Sequence, residues 1–526
     1  VYIAGINILY LNFINETKME IMVRYLRLFA LSFLLLPVAA FAQQIIFSEP
    51  EREDIRDMNF EIIGKVNRNI LIFHDVKWKY AFNVYNDSMR LLDKVSADYI
   101  PKKTTNIDFI AYPDFVYAIY QYQKKGILYC EAAKVGADGA KMGEPVVLDT
   151  TRIGLMGDNK LYSVIYSEDK RRIMVFKIQR VSDQYNFATI LFDNTLQQLH
   201  KSRLTIDYNS RQDIYSDFIL DNDGNLVFAG TVDKDRRNDP SAFLLIIKGA
   251  TADSFSKKRI ELKEAYLDEV KLKADNVNKK YLINTFYHKE RRGNIEGIFC
   301  SVWDVPGDSV YSRLFVQLGD SIRSLVKTSG SLKTVFNNFF IRNVLLKRDG
   351  SYLLAAEDFY TQTTGTNPWN RYDMLYTPGF NSYDYYYFNN YYYGGLYRPF
   401  GRFSNRSTQY YYDNVLLISL GKTGDPEWVN VIHKQQYADD NDNYLSYGLF
   451  NTGGTIHFLY NDITKRLKLL SETIVAPDGK SKRNPTLKTP DRDYEFMPRF
   501  SKQVGTRQVV IPCTYRSYIC FAKVDF

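Results

Sequence analysis

Several kinds of residue are scarce in this chain of 526 residues, and each scarcity closes off a class of function. Five histidines, at 74, 200, 288, 433 and 457, show no paired spacing. They offer little to His-based catalysis or to a His-ligated metal centre. Four cysteines are too few for a disulfide framework. Beyond Ala42 no run of 18 apolar residues occurs, so no helical membrane span is expected after that point. No Pro-, Gly- or Ser-rich linker divides the sequence. Basic residues outnumber acidic ones, 68 to 60, but the surplus is dispersed. Its runs are short: Lys170-Arg171-Arg172, Lys257-Lys258-Arg259 and Arg291-Arg292. A nucleic-acid footprint would be clustered, so no nucleic-acid partner is expected.

What is present begins with an address. Met22 to Arg27 is a short basic segment, Leu28 to Ala39 an apolar one, and Ala40-Phe41-Ala42 has the small-x-small form of a signal-peptidase site. No Cys follows that site, which argues against a lipid anchor. Residues 1–18 precede Met19 and Met22 and read as upstream sequence. The expectation is an exported chain of residues 43–526, in the periplasm or at the outer cell surface, with a net charge of +7.

A two-strand unit then recurs along the chain: apolar alternation, a tight polar turn, a dense apolar run. Its clearest copies are 217–230 around Asp223-Gly224, 341–356 around Asp349-Gly350, and 447–460 around Gly453-Gly454. Asp-Gly and Gly-Gly pairs supply the positive φ of hairpin turns. The dense run reads as a strand covered on both faces. A second hairpin, ending in a more polar strand, follows most copies. Four strands grading from buried to exposed make a propeller blade. The copies fall at 59–98, 106–150, 160–206, 213–262, 267–318, 340–436, 444–489 and 495–526. The expected fold is therefore an all-β, eight-bladed propeller of four-stranded antiparallel blades, in one domain over 43–526. The last blade has three strands, and Gln44 to Ser48 supplies the fourth. Because 160–206 is irregular, seven blades is the alternative count. A membrane barrel would alternate apolar with polar; Asn69 to Phe73 and Tyr352 to Ala356 do not.

Two stretches carry a resemblance. Ser167 to Lys177 and the Tyr-rich segment 372–412 are similar to those of uncharacterised secreted β-propeller-like proteins of Bacteroidota. The resemblance implies an envelope location and brings no catalytic motif with it. Four short sites, beginning at Asp87, Asp149, Asp308 and Asp320, resemble the O-glycosylation pattern of such envelope proteins.

The Tyr-rich insert, at about 361–412, is the most unusual feature: 13 of the 42 tyrosines lie between Tyr372 and Tyr412. Tyr pairs a flat apolar ring with a hydrogen-bonding tip at low entropic cost. Tyr385, Tyr387, Tyr392 and Arg398 are the candidate contact residues. The competing reading is a low-complexity loop, or one that covers its own blade. Asp439 to Asn443 and Asp221 to Asn225 echo calcium loops, but a solvated loop and a hairpin turn account for them. Ser324-Leu325-Val326-Lys327 has S-x-x-K spacing without its companion motifs. No catalytic residue, metal site or cofactor is assigned.

Cys130 and Cys300 lie in apolar strands and are expected as buried thiols. A two-residue turn at Arg516-Ser517 would pair Cys513 with Cys520 as close, unbonded thiols. The functional expectation is an exported binding or scaffold protein that engages an envelope protein through the insert. A glycan-binding module is the second reading. A hydrolase or lyase with an axial site is the third.

Overall fold

The computed structural model describes residues 44–52, 58–153, 162–181, 184–207, 215–231, 242–262, 265–290, 293–327, 331–363, 408–464, 467–487 and 493–526. The signal-peptide expectation, and Tyr385, Tyr387, Tyr392 and Arg398, lie outside these residues. The described strands form eight antiparallel sheets of an eight-bladed β-propeller. The 160–206 region is a regular blade, Tyr162–Tyr166, Arg172–Val181, Gln184–Asp193 and Gln198–Asp207, so eight replaces the alternative count of seven. Blades five, six and eight add a short fifth strand to the expected four.

Blade one shows how sequence becomes layer. Its strands are Met58–Val66, Asn69–Val76, Lys79–Tyr85 and Leu91–Ser96. Ile70 to Phe73 are fully buried because both faces of an inner strand meet neighbouring sheets. The last strand is almost wholly exposed, with Leu91 and Leu92 turned to solvent. The first strands of neighbouring blades pack on one another around the axis. The core is a series of wedges between blades. Between blades five and six, for example, Leu282, Phe286 and Ile298 meet Phe339, Leu354 and Leu416. The turns between first and second strands use the expected left-handed residues, with Gly224 at φ +91° and Gly350 at φ +89°. Asp221 to Asn225 is such a turn: Asp221 Oδ1 accepts the N–H groups of Asp223 and Asn225.

The ring closes as the sequence implies. The strand containing Ile45 to Phe47 lies beside Tyr518–Asp525 in the last sheet. Just beyond it, Ser48 N–H donates to Phe521 O and Glu51 N–H to Ile519 O, each at 2.8 Å. This removes an open sheet edge. Cys513 pairs directly with Cys520, beside Thr514 with Ile519 and Tyr515 with Tyr518. Their sulfurs are 2.8 Å apart, and all four cysteines are buried free thiols. Burial pushes the Cys300 thiol up to about 12. Among the described residues, no helix is long and apolar enough to cross a membrane.

Candidate functional site: the stem of the blade-six insert

The insert leaves blade six between its second and third strands, Tyr352–Thr363 and Thr408–Leu420. These run to 12 and 13 residues and stay in register as far as Thr363 opposite Thr408. The near half of Thr408–Leu420 carries the ordinary outer strand Pro426–Ile432. The far half carries a different strand, Gln436–Asp439. The residues flanking the insert thus form a three-stranded stem.

One face of the stem is ordered in rows. Tyr360, Tyr411 and Tyr437 lie directly opposite one another across the three strands. The Tyr360 and Tyr411 rings stack at 4.6 Å with 5° between planes, and Tyr437 follows at 6.2 Å. Gln362, Gln409 and Asp439 form the next row on that face. Tyr411 Oη donates to Gln409 Oε1 at 3.0 Å, and Gln409 Nε2 to Asp439 Oδ1 at 3.0 Å. Tyr437 is 54% exposed. Burial, with the Asp413 and Asp358 carboxylates nearby, pushes the Tyr360 phenol up to about 12. The other face is apolar: Phe359 and Tyr412 pack with Phe340 and Leu445.

Buried charges hold the base of the stem. Glu357 is fully buried, with Lys434 Nζ 2.8 Å from its Oε1 and Ser446 Oγ donating to its Oε2 at 2.7 Å. Lys434 also donates to Tyr412 O and Gln436 Oε1, each at 3.0 Å. Gln436 Nε2 donates to Asn461 O of blade seven at 2.7 Å. Burial lowers the Lys434 ammonium below its ordinary range, and Glu357 opposes that shift. A second clamp reaches blade eight. Arg499 grips Asp442 through two bonds of 2.7 and 2.9 Å, and Tyr412 Oη donates to Asp442 Oδ2 at 2.6 Å. Burial opposes ionisation of Asp442, but Arg499 outweighs it and holds the carboxyl below its usual range.

The run 439–443 is therefore not simply a solvated loop. Asp439 and Asp440 are exposed, whereas Asp442 is buried with its carboxylate committed to Arg499 and Tyr412. Ser324 and Lys327 of the S-x-x-K run are exposed, Ser324 on the short helix Asp320–Val326. Among the described residues, no group of three or more His, Cys, Asp or Glu could hold a metal ion. Sequence reasoning found the insert and read the run containing Asp442 as a solvated loop, but missed Glu357, Lys434 and Arg499.

No family model and no curated protein matches the sequence. Among solved structures, the chain is similar to a eukaryotic initiation factor at 9% identity, covering 90% of this chain and 92% of that one, with a TM-score of 0.39. It is similar to the β-propeller domain of Vanderwaltozyma polyspora Nup133 at 10% identity, covering 80% of this chain and 100% of that one, with a TM-score of 0.36. It is also similar to a prolyl endopeptidase at 9% identity, covering 88% of this chain and 55% of that one, with a TM-score of 0.41.

Proposed function

We propose that the chain is an exported scaffold that binds a protein partner of the cell envelope through the stem end of blade six and the insert it carries. The observation behind this reading is the stem itself. A plain strand-to-strand connection needs only a few residues. Here the strands are prolonged, a third strand is added over the buried Glu357–Lys434 pair, and hydrogen bonds from Ser446 and to Asn461, with the Asp442–Arg499 pair, link the base to blades seven and eight. Long insertions on rigid supports commonly carry function, because the support limits the ordering cost of binding. Export rests on the basic, apolar and small-x-small pattern of residues 22–42 and on the resemblance to secreted propellers. Affinity purification from the native envelope tests the reading. A partner captured by the whole chain should be lost when 376–408 is replaced by a short Gly-Ser loop in a variant that melts at the same temperature. Undiminished capture by that variant refutes it.

A glycan ligand is the second reading, favoured by the half-exposed Tyr437 ring beside Asp439 and Gln409. Two of the three stem rings are stacked on each other, so it rests mainly on Tyr437. Binding of polysaccharide that is abolished by Tyr437→Ala, with protein capture unchanged, would favour it.

A further inference from the structure

In blade seven, the turn Asn451-Thr452-Gly453-Gly454-Thr455 joins the first strand, Tyr447–Asn451, to the second, Ile456–Thr464. It lies at the opposite end of the sheet from the connection between second and third strands, the position that bears the insert in blade six. Next to this turn, His457 is 5% exposed, its ring stacked on Phe450 at 4.4 Å and 22°. His457 Nε2 is 2.9 Å from Thr455 Oγ1 and 3.1 Å from Thr452 Oγ1. His457 Nδ1 is 2.5 Å from Glu472 Oε1 on the next strand. Glu472 is fully buried, and its Oε2 accepts from Asn484 Nδ2 at 2.6 Å. Hydroxyl, imidazole and carboxylate stand in series, each within hydrogen-bond reach of the next. Roles and geometry of this kind, not sequence order, define a nucleophile–base–carboxylate triad.

Two further features surround the hydroxyl. A Cβ built at Gly453 or Gly454 would meet nothing within 4 Å, so the space over the turn is open. The backbone N–H groups of Gly454 and Thr455 have no acceptor among the described residues. They can serve as donors to an oxygen that becomes negative beside the nucleophile.

We propose that this turn is an acyl-transfer site that hydrolyses small carboxylic esters, with Thr455 as nucleophile and His457 as base. Glu472 accepts from Nδ1–H, which makes Nε2 the acceptor that faces the Thr455 hydroxyl. Thr455 Oγ1 bonds to the ester carbonyl carbon as its proton passes to His457 Nε2. The carbonyl oxygen takes the charge beside the Gly454 and Thr455 N–H groups. The intermediate collapses by breaking the bond to the alkoxy oxygen, which leaves as an alcohol with the proton from His457. Water then attacks the acyl-threonine by the same route, releasing the acid and restoring Thr455. The β-methyl of threonine narrows approach to its oxygen, so an acetyl group suits the site better than a long acyl chain. Thr452, 2.9 Å from Thr455 Oγ1, is a positioning residue.

The test uses the purified chain with p-nitrophenyl acetate and with a fluorophosphonate, the adduct being located by peptide mass spectrometry. The expected result is an adduct on Thr455 and ester hydrolysis. Both should be lost in Thr455→Val, reduced at least tenfold in His457→Gln and retained in Thr455→Ser. Absence of any adduct and of hydrolysis above background in the folded wild-type protein overturns the proposal. So does labelling that survives Thr455→Val. Because the site is separate from the stem, failure here leaves the partner-binding reading standing.

Discussion

Blades two and six both lengthen their central hairpin, and the contrast between them separates what a long hairpin needs from what a support needs. In blade two, Phe115–Lys124 and Ile127–Gly136 join through Lys125 and Gly126, at φ 51° and 73°. That turn twists with the strands and requires no insert. Tyr122 stacks on its direct partner Tyr129 at 5.3 Å, and Glu131 accepts from Tyr122 and Tyr120. Blade six repeats the stacked pair as Tyr360 and Tyr411. A cross-strand tyrosine stack is thus a way of stabilising a hairpin tip and does not by itself mark a ligand site. Blade six differs in its third strand, in the buried Glu357–Lys434 pair beneath it, and in the Ser446, Asn461 and Asp442–Arg499 contacts that tie it to blades seven and eight.

The sharpest way to break that contrast is at the ions. Lys434→Ala should destabilise the protein by about 3 kcal/mol, because buried Glu357 would lose its 2.8 Å partner and keep only Arg342, 3.7 Å away. Glu131→Gln in blade two should cost no more than about 1 kcal/mol, since it removes one acceptor at a half-buried site. Chemical denaturation measures both, and equal losses would erase the distinction. The double change Glu357→Gln with Lys434→Met should recover part of the loss, because it removes both charges of the close pair while Arg342 remains beside the site.

Arg499→Gln should follow, at about 3 kcal/mol near neutral pH. Its effect has a definite sign. Arg499 lowers the folded-state pKa of Asp442, so the pair stabilises the fold above the unfolded carboxyl pKa and loses that stabilisation as pH falls through the lower, folded one. The gap in melting temperature between wild type and variant should therefore narrow on acidification below about pH 4. A gap that widens would contradict the assignment.

A smaller, matched effect concerns the rings. Tyr411→Ala and Tyr129→Ala should each cost roughly 1 kcal/mol or less beyond lost burial, and by similar amounts. A much larger loss in blade six would mean that its stack bears the stem. The smallest effect on stability belongs to the insert. Replacing 376–408 by a Gly-Ser loop should change stability by less than about 1 kcal/mol, since loop length enters only logarithmically. A large loss would show that the insert packs on its own blade.

The repeat was legible because its information is local. Asp223-Gly224 and Asp349-Gly350 announce turns, and the apolar runs after them announce inner strands. Pairing of Cys513 with Cys520 followed from counting outward from a two-residue turn. The base of the stem was not legible. Glu357 and Lys434 are separated by the insert and by a whole strand, and pairing within blade six brings them together, with Ser446 added from the neighbouring blade. Asp442 was hidden differently: an acidic run reads as solvated, and nothing local shows that Arg499 of the next blade covers one of its members. His457 likewise read as an isolated histidine until strand pairing set Glu472 and Thr455 on either side of it.

Hydrogen exchange of the stem tests the central claim, that blade six holds its insert on a rigid support which does not depend on the insert. Amides of Gln409 to Tyr412 and of Gln436 to Asp439 should exchange as slowly as those of the neighbouring blade strands. They should remain slow when 376–408 is replaced by a Gly-Ser loop. Rapid exchange confined to these strands, in the whole chain or in that variant, would contradict the account.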